Sequence, residues 1–265
     1  MGGQPSLVFE NDRQCMLKDI NTYKGPRKQL LSGAFFYLET DALMNKQIND
    51  LQVDEAPVQK VFEELVKDRA YFGENGGVTL SGGEILLQSE EAALLLKRLK
   101  EAGISTAVDT SGFCKKEDID RVLPYTDVFL YDLKLADSLW HEGWTGVPNE
   151  RIIENFEYLT QLRHTSRPDM GLWVRTPIIP GATDDEENIR DLARIVRDRA
   201  DRWELCAFNN LCRDKYERMY KDWTFKETGL ISREHMELLV AAALDEGAKN
   251  FRYTGKTRLE AKTHD

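Results

Sequence analysis

From Gly76 onward the apolar residues of this 265-residue chain keep two alternating rhythms. Short runs rich in β-branched and aromatic residues alternate with stretches where apolar residues recur every three or four positions, the spacing of one helix face. The runs predict strands over Gly77–Leu80, Ser105–Asp109, Asp127–Leu133, Gly171–Ile178, Trp203–Phe208 and Asn250–Tyr253. The periodic stretches predict helices over Ser89–Ala102, Lys116–Leu123, Asn149–Arg163, Asp184–Arg199 and Ser232–Glu246. One more helix is predicted over Asp54–Ala70, where Val58, Val61, Phe62, Leu65 and Val66 share a face. Thr183 with Glu186 reads as a capping box, and Asn149 and Ser232 suit N-caps. Gly103 and Gly247 stand where a helix would stop. Residues 1–52 keep neither rhythm. They mix Gly, Pro, Lys and Asn with one apolar run, Ala34–Leu38, and read as an irregular segment ahead of a main domain at 53–265.

Strand–helix alternation implies parallel strands joined by helical crossovers, hence an open α/β sheet or a (β/α) barrel. In both, ligands bind beyond the carboxyl ends of the strands. Those ends read Ser81-Gly82-Gly83-Glu84, Asp109-Thr110-Ser111-Gly112, Asp132-Leu133-Lys134, Arg175-Thr176-Pro177 and Phe208-Asn209-Asn210. Every one is polar or charged, so the expectation is that they converge on one site.

Composition narrows the partners. A formal charge of −10 disfavours nucleic acid and anionic membrane, because phosphate binding needs clustered cations. The Arg-rich stretch from Arg190 to Arg202 is interleaved with Asp and apolar residues and reads as the solvated face of a helix. No apolar run approaches the roughly 18 to 20 residues of a membrane span, and the start lacks the basic-then-apolar pattern of a secretion signal. The four cysteines, Cys15, Cys114, Cys206 and Cys212, are scattered, with no disulfide framework, so a reduced, cytoplasmic chain is expected.

Several residue sets carry candidate chemistry. Two glycines let the Ser81–Glu84 backbone approach a ligand, and the Glu84 carboxylate can hold an ammonium group; the alternative is a plain tight turn. Asp109, Thr110 and Asp132 offer two carboxylates and a hydroxyl, a set suited to a hard cation. Lys134 could neutralise a ligand carboxylate or serve as a Schiff-base nucleophile. The alternative for Asp132 and Lys134 is an ion pair at a barrel mouth. Arg175 is either a carboxylate or ribose clamp or a tie to a neighbouring strand. His141, His164, His235 and His264 have no metal-ligand spacing, and His141 reads as an ordinary surface or helix residue. Cys206 and Cys212 read as buried thiols.

These motifs, in this order, resemble one family. Gly76-Gly77-Val78-Thr79-Leu80-Ser81-Gly82-Gly83-Glu84 with Leu86-Leu87-Gln88 is similar to the corresponding segment of glycyl-radical enzyme activating enzymes, radical S-adenosylmethionine proteins that include the pyruvate formate-lyase activating enzyme. The likeness continues through Asp109–Gly112, Tyr131–Lys134, Thr145-Gly146 with Asn149, Val174-Arg175 with Pro177 and Pro180-Gly181, and Asn210–Tyr216. It implies a partial (β/α)6 barrel of radical SAM type and S-adenosylmethionine lying across the strand ends. Gly82, Gly83 and Glu84 would hold its amino group. Lys134 and Arg175 would approach its carboxylate and sulfonium, Asp109 would line the cofactor site, and Asn209 would lie near the adenosine. Asp109, Thr110 and Asp132 would hold a monovalent cation. The resemblance also implies a [4Fe-4S] cluster, a flavodoxin or ferredoxin as electron donor, and a glycyl-radical enzyme as the protein substrate.

The chain departs from the family's pattern in three places. The family's Cys-x3-Cys-x2-Cys cluster loop is absent, and Cys15 alone cannot supply three thiolates. Ile85 stands where Pro is usual, and Asn209 where several members have His. On this reading the first barrel strand is missing and residues 1–52 are the remnant of a ferredoxin-like insert. Three accounts follow: a shortened form of an active activating enzyme, a non-catalytic binding protein, or a chain completed by another polypeptide. A Schiff-base aldolase using Lys134 is the competing reading from pattern alone.

Overall fold

A computed structural model describes residues 55–73, 76–209 and 224–258, and the backbone of Ala34–Phe35. The expected N-terminal segment, Cys15, Cys212 and the Asn210–Tyr216 motif lie outside the described residues, save for that short strand. The chain divides into two compact units. Unit 1 is Met1–Leu130 with Gln161–Gly171, and unit 2 is Tyr131–Thr160 with Leu172–Asp265.

In unit 1, β1 (Ala34–Phe35), β2 (Gly77–Ser81) and β3 (Ser105–Thr110) form a parallel ladder in register Phe35↔Ser81 and Leu80↔Val108. Among the described residues, Ala34–Phe35 stand at the position before β2. β2 is buried along its whole length, with Thr79 and Ser81 buried beside Val78 and Leu80. Helix α1 (Glu55–Lys67) turns Val58 and Leu65 inward, and α2 (Ser89–Glu101) turns in Ala92, Leu95, Leu96 and Leu99. Burying each such leucine contributes about 2 kcal/mol before entropy is counted. Gly103, at φ 70°, follows the end of α2. Helix α3 (Lys116–Val122), the first residues of β4 (Val128–Asp132) and the segment Gln161–Gly171 also belong to this unit. Gly77 is sterically required at the start of β2. A Cβ there would lie 2.1 Å from the Ser105 carbonyl oxygen.

Unit 2 repeats the plan. β5 (Gly171–Ile178), β6 (Arg202–Ala207) and β7 (Phe251–Thr254) pair in parallel, Val174↔Trp203 and Leu205↔Tyr253. Around them lie α4 (Ser138–Thr145), α5 (Glu150–Thr165), α6 (Glu186–Val196) and α7 (Arg233–Asp245). Trp203 is buried against Phe251, ring centroids 4.9 Å apart. As expected, α6 buries Ile189, Leu192, Ala193 and Val196, while Arg190 and Arg194 pair with Asp245, Asp191 and Glu246 at the surface.

Three local expectations are corrected. The N-cap of α6 is Asp185, whose carboxylate accepts from the Glu187 and Asn188 amides. Thr183 Oγ1 instead donates to the Pro177 carbonyl and accepts from the Ile179 amide, so there is no Thr183–Glu186 capping box. Helix α4 was not predicted, because it is eight residues long and carries Gly143 inside. His141 is a buried residue of that helix and not a surface one. Its Nδ1 lies 2.8 Å from the Val147 carbonyl oxygen, which makes that nitrogen the donor. Ser232 caps α7 as expected, accepting from the His235 amide.

Candidate functional site

The predicted site residues fall into two sets, one in each unit. In unit 1, β2 ends at Ser81 and the chain turns through Gly82 and Gly83 into a 3-10 turn at Ile85–Gln88. Glu84 caps that turn. Its Oε1 accepts from the Leu86 amide at 3.1 Å and from Thr110 Oγ1 at 2.6 Å. Its Oε2 accepts from the Ser111 amide at 2.8 Å and from Ser111 Oγ at 2.6 Å. Asp109, at the end of β3, accepts from Ser81 Oγ at 3.1 Å. A carboxylate offers about four acceptor positions, and Glu84 has four donors. Its role is therefore to lock the end of β2 to the end of β3. The expected Glu84–ammonium contact would have to displace one of these bonds. What the turn offers a ligand is main chain, since a Cβ at Gly83 would have nothing within 4 Å.

The unit 2 set is charged. Asp132, the last residue of β4, lies 3.2 Å from Lys134 Nζ through Oδ2 and 3.0 Å from Arg175 Nη2 through Oδ1. Burial alone would raise the Asp132 carboxyl. The Lys134 and Arg175 charges overcome it and hold the group below the usual carboxylate range. Two cations on one carboxylate leave the set one positive charge in excess, suited to a ligand that brings a carboxylate. Arg175 thus ties β5 to β4 while staying within the charged set, which joins the two readings the sequence left open. Cys206, on β6, is half-buried; burial pushes its thiol up to about 12 against the lowering effect of the Arg175 charge, with the Glu204 and Asp132 charges adding to the rise. Asn209 is exposed beyond the end of β6.

Two contributors had no clear signal in sequence. Ser111 supplies two of the four donors to Glu84, and the sequence marked it only as part of the polar strand end Asp109–Gly112. Thr176, fully buried on β5, donates to the Leu133 carbonyl at 2.7 Å and accepts from Trp203 Nε1 at 3.0 Å.

For S-adenosylmethionine the residues of each unit, taken by itself, suit a part: the exposed glycine turn of unit 1 can approach an amino acid's main-chain groups, and the Lys134–Arg175 pair of unit 2 complements a carboxylate. For a [4Fe-4S] cluster they do not. Among the described residues the thiols are Cys114 and Cys206, and no three His, Cys, Asp or Glu side chains come together as a metal set. Among the described residues no helix is long and apolar enough to cross a membrane.

Comparison with known proteins gives a consistent placement. Residues 45–193 match the Radical SAM superfamily. The choline trimethylamine-lyase activating enzyme of Oleidesulfovibrio alaskensis is 37% identical over 145 residues, 54% of this chain and 45% of that protein. The pyruvate formate-lyase-activating enzyme of Clostridium pasteurianum is 32% identical over 188 residues, 70% of this chain and 76% of that protein. A crystal structure of a domain of pyruvate-formate lyase-activating enzyme from Bacteroides vulgatus superposes with TM-score 0.54 at 29% identity. It covers 68% of this chain and all of that one. Against the first curated relatives the chain spans about half their length, 45% to 60%. The α/β partial-barrel fold class holds, and the chain belongs to the radical SAM superfamily and, within it, to the glycyl-radical enzyme activating enzymes.

Proposed function

We propose that this chain is the S-adenosylmethionine-holding body of an activating enzyme that installs a glycyl radical on a partner enzyme. The observation that carries the reading is the Lys134–Asp132–Arg175 set, with its net positive charge at the end of β4. In this reading Lys134 and Arg175 take the cofactor carboxylate. The bare main chain of Gly82–Gly83 takes the ammonium group. Glu84 keeps the turn in place through Thr110 and Ser111. Asn209 lies toward the adenosine in this reading. Bound there, S-adenosylmethionine supplies the deoxyadenosyl group for the family's radical chemistry. The described residues do not offer the thiolates of a cluster. The protein substrate is a glycyl-radical enzyme and the electron donor a flavodoxin or ferredoxin, acting in the cytoplasm.

Isothermal titration of the chain with S-adenosylmethionine tests this. We expect binding heat from wild type and its loss in Lys134→Ala. No heat from wild type removes the cofactor reading. Anaerobic reconstitution with iron and sulfide separates chemistry from binding. A chain that binds S-adenosylmethionine but takes up no cluster and cleaves none is a binding protein on its own, the second reading. The four scattered cysteines favour that second reading for these 265 residues taken alone.

A further inference from the structure

We infer that Asn149 and Asn188 are positioning residues for Lys134, holding the main chain that carries it through a set of side-chain-to-backbone bonds. The inference rests on the proposed cofactor role of Lys134. The chain leaves β4 at Asp132 and runs through Leu133–Ala136 without regular structure, with Leu133 and Leu135 both buried. Buried irregular main chain has to find partners for its amides and carbonyls. Here side chains provide the partners. The Leu133 carbonyl accepts from Thr176 Oγ1 at 2.7 Å. The Lys134 carbonyl accepts from Asn188 Nδ2 at 3.2 Å. The Leu135 and Ala136 carbonyls both accept from Asn149 Nδ2, at 2.9 and 2.8 Å. The Ala136 amide in turn donates to Asn188 Oδ1 at 2.9 Å, and the Leu133 amide to the Arg175 carbonyl at 3.0 Å.

Four consecutive carbonyls are thus held by three side chains from three elements. Asn188 uses both ends of its amide, one on each side of Leu135. It sits in the first turn of α6, and Asn149 immediately before α5, so the fixed ends of two helices set the path of the loop. The bonds of both asparagines to this loop all run to its main-chain atoms. They act through the backbone, by fixing where the Lys134 side chain begins and so where its ammonium group meets Asp132. A lysine on a loose loop would spread its charge over many positions and lose most of the gain from preorganisation.

Two readouts on the full chain test this. Competitive acetylation, followed by peptide mass spectrometry with the exposed Lys97 as internal standard, reads the Lys134 amine without cofactor. We expect Lys134 to react severalfold faster in Asn188→Ala and in Asn149→Ala than in wild type. Asn188→Asp keeps the acceptor for the Ala136 amide and removes the donor to the Lys134 carbonyl, so it should show the same rise with a milder loss of stability. Met236→Ala, a cavity variant in α7, should lower the melting temperature and leave the Lys134 rate unchanged. In calorimetry the asparagine variants should bind S-adenosylmethionine about tenfold more weakly, and Met236→Ala as wild type does. Unchanged Lys134 reactivity in all three folded asparagine variants overturns the inference, whether or not the cofactor binds. Wild type that gives no heat, with Lys134 reactivity still rising in the variants, overturns the cofactor reading and leaves the positioning intact.

Discussion

Arg175 Nη2 donates to Asp132 Oδ1 over 3.0 Å, and both side chains are more than three-quarters covered. Removing the carboxylate takes an acceptor from both the guanidinium and the Lys134 ammonium. Asp132→Ala should cost about 2 kcal/mol, the range for hydrogen bonds to charged groups. Asp132→Asn should cost less, since its carbonyl oxygen still accepts. Urea unfolding of both variants checks the ranking.

Acid should act on two groups in different windows. Burial pushes the His141 imidazole below its usual value, against the raising effect of its bond to Val147 and with the lowering effect of the Lys134 charge. The folded chain therefore binds this proton less readily than the unfolded chain, and stability falls as pH drops below about 6.5. Asp132 is also held low, so its contribution is complete above about pH 4 and is lost only as pH falls through its folded value. His141→Asn can keep a donor to Val147 without titrating. Its unfolding free energy should be flatter than that of wild type between pH 7.5 and 5, measured by denaturant titration at each pH.

Glu84 is predicted to matter for folding before it matters for ligand. Glu84→Ala removes the acceptor for the Leu86 amide, Thr110 Oγ1 and both donors of Ser111. A lost cap plus partly unsatisfied donors costs about 2 kcal/mol. Thermal unfolding of the variant should show that loss in the absence of any cofactor.

The Cys206 thiol, raised to about 12, is almost entirely protonated at pH 8. It should resist iodoacetamide in the native chain and react once denatured. Cys114, also buried, should behave the same way. Peptide mapping by mass spectrometry reads both sites.

The strands and most helices were legible because their apolar rhythm is dictated by burial, and burial is what the structure repeats. Every expected strand is present within two residues at either end. The charged groups at the strand ends were legible for a related reason. β2, β3 and β4 each close on a polar residue, Ser81, Thr110 and Asp132, so finding the strand also finds its exit, whereas Arg175 lies inside β5. What the sequence did not carry was who holds whom. Glu84 reads as a ligand group until Thr110 and Ser111 are seen around it. Asn149 reads as a helix cap, yet its side chain reaches back to Leu135 and Ala136. Asn188 has no periodic signal at all, because its partner is 54 residues earlier. Side-chain-to-backbone bonds between distant segments obey no spacing rule. Helix α4 escaped for a different reason. Eight residues are too few to establish a period, and the burial of His141 supplies what propensity does not.

Gly77 places a limit on how this chain can vary. The oxygen of Ser105 occupies the space a methyl group would need, so even alanine forces the neighbouring main chain aside. The displacement would travel along the pairing from Gly77↔Ser105 to Leu80↔Val108, and the next residue along each strand is Ser81 and Asp109. A single added carbon, at a residue that needs no contact with any cofactor, is therefore enough to misalign the far end of the ladder.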